Sequence, residues 1–292
     1  MENEILKGKT AIVSGASSGI GLKISERFIE KGANVIICSR SEKNLKFAYD
    51  HLKILKKKYQ KIFIQKTDIA KTDEIDLLLE NSFKEFKKID ILINNAGIIG
   101  PKGKFEELNW EEWKYALETN FLGSAYFIKQ LLPHFKKNNY GRIVQLSGGG
   151  ATQPVPFQSI YAASKAGIVR FIETIASEIS EFNITANCLA PGALNTKITD
   201  ELLQAGPEKL GKKIYEKVLK QKESGGAPME KAVSLALALS TNDYPKLNGK
   251  LISAIWDDWE NIHNYYEILN QTDVYTLRRI TAKDRNYSWG DL

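Results

Sequence analysis

Short apolar runs rich in Ile and Val alternate along this chain with longer stretches whose apolar residues recur every three or four positions. The runs at 10–14, 34–39, 61–66, 89–94, 141–146, 184–189 and 250–253 read as buried strands, near-continuous in apolar side chains rather than alternating in and out. The stretches 20–31, 42–59, 74–86, 110–137, 161–182 and 230–240 carry helical periodicity. This alternation predicts an α/β fold: a doubly wound parallel sheet with helices on both faces, its crossovers right-handed. Ligands bind such sheets beyond the strand carboxyl ends, where the winding reverses. Four segments follow strands at that edge: the glycine turn from Ser14, then 94–97, 146–148 and 189–192.

Residues 197–228 depart from the pattern. Lys, Glu, Gln and Gly dominate, and Gly206-Pro207 and Gly225-Gly226 interrupt them, which suits a mobile helical insertion over the crevice. No linker-like break divides the chain before residue 254. The organisation expected is one domain over 1–254, with 197–228 as a substrate lid, and an extension over 255–292. The extension is rich in aromatics and holds the pair Arg278-Arg279. Three roles suit it: closure over a bulky anionic substrate, packing between subunits, or a strap across the core. Aromatic-rich segments usually pack, which favours the structural roles.

The chemistry concentrates in two places. Tyr161 and Lys165 are four residues apart, hence one turn apart on one side of a helix. A phenol of pKa ~10 is a poor acid or base at neutral pH, and a neighbouring ammonium lowers that value. The pair suits proton transfer to or from an alcohol/ketone couple. Alone it is weak evidence, since Tyr-x-x-x-Lys arises by chance in many helices. The second place is Ser14-Gly15-Ala16-Ser17-Ser18-Gly19-Ile20-Gly21, between a strand and a helix. There the glycines let backbone approach a pyrophosphate, and the helix N-terminus offers free N–H donors. The spacing is Gly-x-x-x-Gly-x-Gly rather than Gly-x-Gly-x-x-Gly.

Composition narrows the classes. The chain has 292 residues, 43% of them hydrophobic, enough for one large α/β domain. A net charge of +6 comes from interspersed Lys and acids; the densest basic cluster, Lys53 to Lys61, reads as a solvated face. No aromatics interleave with bases in a nucleic-acid pattern. Cys38 and Cys188 end strand-like runs and read as buried free thiols, and three scattered histidines predict no metal site. With neither leader nor membrane span in view, a cytoplasmic protein is expected.

With these residues placed, the chain resembles the classical short-chain dehydrogenase/reductase family from about Lys7 to Ala254. The resemblance rests on the glycine turn, Asn94-Asn95-Ala96-Gly97, Asn120 in Glu118-Thr119-Asn120-Phe121, Tyr161-x-x-x-Lys165, and Pro191-Gly192 followed by Thr196. It implies a single Rossmann-type domain and an NAD(P)-dependent oxidoreductase. Tyr161 would exchange the proton with a secondary alcohol or ketone, Lys165 would lower the tyrosine pKa and hold the ribose, and Asn120 would anchor a water. The cofactor would meet Gly15, Ser17, Ser18, Gly19, Ile20 and Gly21, with Asp68-Ile69 flanking the adenine. Asn95, Ala96 and Gly97 would line it, with Pro191 and Gly192 beyond, and Thr196 would hold the carboxamide. A homodimer or homotetramer through the two long helices is also implied.

Two positions need a decision. The family's substrate-binding serine aligns with Gly148 counting back from Tyr161, and with Ser147 counting forward from the strand. The run Gly148-Gly149-Gly150 could twist Ser147 round to the phenol, and Ser159 is a weaker candidate. Strand two ends in Ser39-Arg40, where an NAD enzyme usually has an acid. A guanidinium suits a 2′-phosphate, so NADP(H) is expected, with NAD(H) open if Arg40 only stacks on adenine. A polar, sugar-type carbonyl is the guess for the substrate. The competing readings are a non-catalytic dinucleotide sensor or scaffold, kept alive by Gly148, and an epimerase or dehydratase of the extended class, which the glycine spacing disfavours.

Overall fold

The computed structural model describes residues 4–244 and 246–289. Seven parallel strands form one sheet in the order β3-β2-β1-β4-β5-β6-β7. They are β1 Thr10–Ser14, β2 Asn34–Ser39, β3 Ile62–Lys66, β4 Ile91–Asn94, β5 Gly141–Leu146, β6 Ile184–Ala190 and β7 Leu251–Ser253. β1 bonds β2 on one side and β4 on the other, so the winding reverses between β1 and β4 and opens a crevice at their carboxyl ends.

The strands read as apolar runs because both faces are buried. Val13, Ile37, Ile93 and Leu189 point into one core; Ile12, Ile36, Leu92 and Cys188 point into the other. The first core is closed by α1 (Gly19–Glu30), α2 (Glu42–Leu55) and α9 (Met229–Ser240), and the second by α3 (Thr72–Glu85), α5 (Gly123–Lys137) and α6 (Ser159–Glu178). Cys38 and Cys188 are buried free thiols, and burial raises the pKa of both.

Several helix boundaries differ from the sequence expectation; α6 runs over Ser159–Glu178 rather than 161–182. Helix α2 stops at Leu55, four residues short, because Lys56 turns extended (φ −70°, ψ 142°). The turn beyond it carries Gln60, whose side-chain amide donates to the carbonyls of Ile29 and Ala33 at 2.8 and 2.6 Å. The stretch 110–137 is three segments: α4 (Trp110–Leu117), a π-helical turn (Glu118–Leu122) and α5. The insertion contains α7 (Lys197–Leu210) and α8 (Lys212–Glu223), and α7 is broken at Gly206, whose φ of 77° suits glycine.

The extension lies across the chain's own core. Trp259, Ile262 and Leu269 join the first cluster, and α10 (Tyr266–Gln271) carries the last of them. The segment after α10 then runs beside the sheet edge: Leu251 N donates to Tyr275 O at 2.8 Å, and Lys250 Nζ to the carbonyls of Thr272 and Val274. Arg278 is held inside the extension by a bidentate pair with Asp284 at 2.8 and 2.9 Å. At the opposite end of the sheet from the crevice, Arg142 is buried, donating to Thr241 O, Gly141 O, Asn183 O and Oδ1, and Asn242 Oδ1. Among the described residues no helix is long and apolar enough to cross a membrane.

Candidate active site

A cleft of about 780 Å³ opens at the reversal point. Its wall includes the glycine turn (15 and 17–21), Ser39, Arg40, Asp68, Ile69, residues 95–97 and Thr196. The insertion contributes Lys197, Ile198, Asp200 and Glu201 to the same wall.

The glycines are there for two reasons. Gly15 and Gly19 have φ of 64° and 57°, a region that strains other residues. Gly21 is needed for space, since a Cβ there would stand 2.4 Å from Asn95 Nδ2 and 2.8 Å from Gly15 O. Asn95 in turn pins the turn, donating from Nδ2 to Ser14 O at 2.8 Å and Gly15 O at 3.1 Å. Ser14 completes the clasp, its Oγ accepting from the backbone N–H groups of Asn95 and Ala96 at 3.0 Å each. Helix α1 begins at Gly19 with no side-chain cap on its first N–H groups. This bare, close-packed turn at a helix N-terminus fits the pyrophosphate of a dinucleotide.

Asn120 sits in the π-helical turn and is buried. Its side chain exchanges two hydrogen bonds with the backbone of Ile98, both 2.8 Å, and donates to Ser164 Oγ at 3.1 Å. Both N–H groups of the amide are thus used in fastening the β4 loop to α6, while Oδ1 accepts one bond, from Ile98 N, and keeps a second lone pair. π-turns of this kind recur at functional sites.

Tyr161 and Lys165 lie on α6 as expected, with the ammonium 5.8 Å from the phenol ring centroid. Lys165 Nζ donates to Leu146 O at 3.0 Å, and a Cβ on the cleft residue Gly97 would stand 3.6 Å from it. Burial lowers the Lys165 pKa to about 8. Burial also raises the Tyr161 pKa. Burial is the cause of the rise at Tyr161 and the main cause of the fall at Lys165, so the chain's own groups raise the tyrosine rather than lower it. Thr196 caps α7, Gly192 has φ of 86°, and Pro191 precedes it beyond β6; neither of the last two lines the cleft.

Ser147 does not reach the phenol. Gly148 is extended (φ −178°, ψ 173°), so neighbouring side-chain directions alternate and no twist brings Ser147 round. Gly148 faces the tyrosine instead, since a Cβ there would stand 2.8 Å from Tyr161 Oη. Ser147 Oγ is buried without a hydrogen-bond partner, and Ser159 Oγ accepts from Trp113 Nε1 at 3.3 Å.

Sequence reasoning missed Tyr115. Its hydroxyl accepts from Arg40 Nη1 and donates to Asp68 Oδ2, both at 2.7 Å. Nothing in its local pattern marks it, because its partners lie 75 and 47 residues away.

The comparisons agree with this geometry. Residues 9–206 match the short chain dehydrogenase family. The chain is 33% identical over 254 residues to the 3-oxoacyl-[acyl-carrier-protein] reductase FabG of Chlamydia muridarum, covering 86% of this chain and 97% of that protein. It is 32% identical over 237 residues to glucose 1-dehydrogenase 2 of Bacillus subtilis, covering 80% and 89%. Among solved structures, an NAD+-bound xylitol dehydrogenase has the same fold, with a TM-score of 0.77 at 22% identity, covering 85% of this chain and 98% of that one. The chain belongs to the short-chain dehydrogenase/reductase family of oxidoreductases, and solved structures of the same fold hold NADPH or NAD+.

Proposed function

We propose that this chain interconverts a secondary alcohol and a ketone with NADP(H), with Tyr161 as the acid/base. The observation that carries the reading is that Tyr161 Oη lies at Gly148 and Lys165 Nζ at Leu146 O and the cleft residue Gly97, on the sheet edge that bears the glycine cradle, although neither side chain itself lines the cleft. A dinucleotide bound there supplies the hydride. The chain's residues do the rest. The glycine turn and the N-terminus of α1 hold the pyrophosphate, Arg40 meets the 2′-phosphate, and Asp68 and Ile69 border the adenine. Asn95, by clasping the turn, keeps the cradle in shape. Thr196 and the segment 197–228 close over the substrate side. Tyr161 gives its proton to the carbonyl oxygen in reduction and takes it back in oxidation. Lys165, held by Leu146 O, keeps its ammonium 5.8 Å from the centre of the phenol ring, where a positive charge favours the phenolate.

The residue facing the phenol is a glycine, so no side chain at position 148 shares the substrate oxygen with Tyr161. A substrate carrying its own hydroxyl next to the carbonyl supplies that second donor, which supports a sugar-type carbonyl. The similarity to a glucose 1-dehydrogenase supports the same class. A cytoplasmic homodimer or homotetramer, paired through α5 and α6, completes the proposal. The test is NADPH and NADH oxidation against α-hydroxy ketones and their deoxy counterparts. Faster turnover of the hydroxy ketones with NADPH is expected. A tenfold preference for NADH would overturn the cofactor assignment, and equal rates on deoxy ketones the substrate class.

A further inference from the structure

Arg40 and Asp68 follow neighbouring strands, β2 and β3, on one wall of the cleft and carry opposite charges. They do not pair directly; among the described residues Arg40 has no carboxylate within 4.0 Å. Tyr115, on α4, stands between them. Arg40 Nη1 donates to the phenol oxygen at 2.7 Å, and the phenol donates onward to Asp68 Oδ2 at 2.7 Å. This direction is fixed, because a guanidinium only donates and a carboxylate only accepts. The guanidinium carbon also lies 5.7 Å from the centre of the Tyr115 ring, within cation–π range. Asp68 is held on its other oxygen, where Ala70 N donates at 3.1 Å. Burial and the bond to Asp68 raise the Tyr115 pKa, so the hydroxyl stays neutral at physiological pH.

We propose that Tyr115 is a positioning residue for cofactor selection. It is a neutral spacer that holds the Arg40 guanidinium at the cleft wall and keeps Asp68 from neutralising it. A phosphate on the adenosine ribose then meets a free cation rather than an ion pair. Without the hydroxyl, Arg40 loses its acceptor, Asp68 loses its donor, and the two charges are left to pair with each other. Such a pair attracts a dianionic phosphate far less than a lone guanidinium does. The inference rests on the NADP(H) reading above.

The test measures dissociation constants for NADPH and NADH in wild type, Tyr115→Phe, Asp68→Asn and the double variant, by quenching of intrinsic fluorescence. Tyr115→Phe should weaken NADPH by about tenfold and leave NADH within about twofold. Asp68→Asn should raise the NADPH-to-NADH affinity ratio, and adding it to Tyr115→Phe should restore most of that ratio. A purely structural tyrosine would weaken both dinucleotides together, with no recovery in the double variant; that result overturns the proposal. So does an unchanged ratio in Tyr115→Phe. Tighter NADH binding by wild type would instead overturn the NADP(H) reading, while a ratio that still falls in Tyr115→Phe would keep the spacer role.

Discussion

The hydroxyl of Tyr161 lies against the backbone of Gly148, so close that a Cβ on that glycine would stand 2.8 Å from it. Real Cβ atoms do not approach an oxygen so closely, so any larger residue at 148 must push the phenol aside. A Cβ at 148 thus presses on the far end of the Tyr161 side chain, the proposed acid/base, and shifts it. Displacement of a reacting group by about 1 Å can cost about 10²-fold in rate. Gly148→Ala should therefore lower kcat by about that factor with dinucleotide affinity unchanged, as read by steady-state kinetics beside a binding titration.

Ser147 provides the matched control. Its hydroxyl is buried and bonds nothing, and its backbone N–H bond to Leu189 O does not involve the side chain. Removing an unsatisfied buried hydroxyl is neutral or mildly stabilising. Ser147→Ala should leave turnover unchanged and the melting temperature equal or slightly higher. A large loss of kcat would return Ser147 to the reaction.

Lys165 predicts a dependence of stability on pH. Burial lowers its pKa from 10.5 to about 8. Between those values the unfolded chain binds more protons than the folded one, so stability from this group rises with pH across that window. Below about pH 8 the cost of burying the charge is fully present. Lys165→Met removes it, so that variant should melt higher than wild type at pH 7, with the difference shrinking towards pH 10. Thermal unfolding without added cofactor at both pH values checks the sign.

Arg142 separates stability from function. It is fully buried near the amino end of β5, away from the cleft, and fastens the chain at 141, 183, 241 and 242. Arg142→Met strands several buried acceptors and should cost about 3 kcal/mol of folding free energy. Denaturant unfolding would show this, while dinucleotide affinity of the folded fraction stays at the wild-type value.

The strands were legible in the sequence because each is covered on both faces and so is apolar throughout; β1, β2 and β5 fall on the expected residues. The cradle was legible too, since glycine is required where φ is positive or a neighbour approaches closely, as at Gly15 and Gly21. What escaped depends on three-dimensional partners. The π-turn at Asn120 leaves no mark on the helical period of 110–137. The chain leaves α2 at Lys56, and the turn beyond it is fastened by Gln60 to the distant carbonyls of Ile29 and Ala33, which no pattern around Leu55 marks. Tyr115 reads as an ordinary helix residue until Arg40 and Asp68 are folded beside it. Counting could not choose between Ser147 and Gly148, because a one-residue shift exchanges faces; the extended backbone at 148 decides it.

Tyr161→Phe is the sharpest probe of Tyr161 as the acid/base, since it removes one oxygen and keeps the ring. Turnover and dinucleotide affinity should be measured on the same preparation. The dissociation constant should stay within about twofold and kcat should fall by about 10²–10⁴, the range for loss of a general acid/base. Undiminished turnover with the phenylalanine in place would contradict that role.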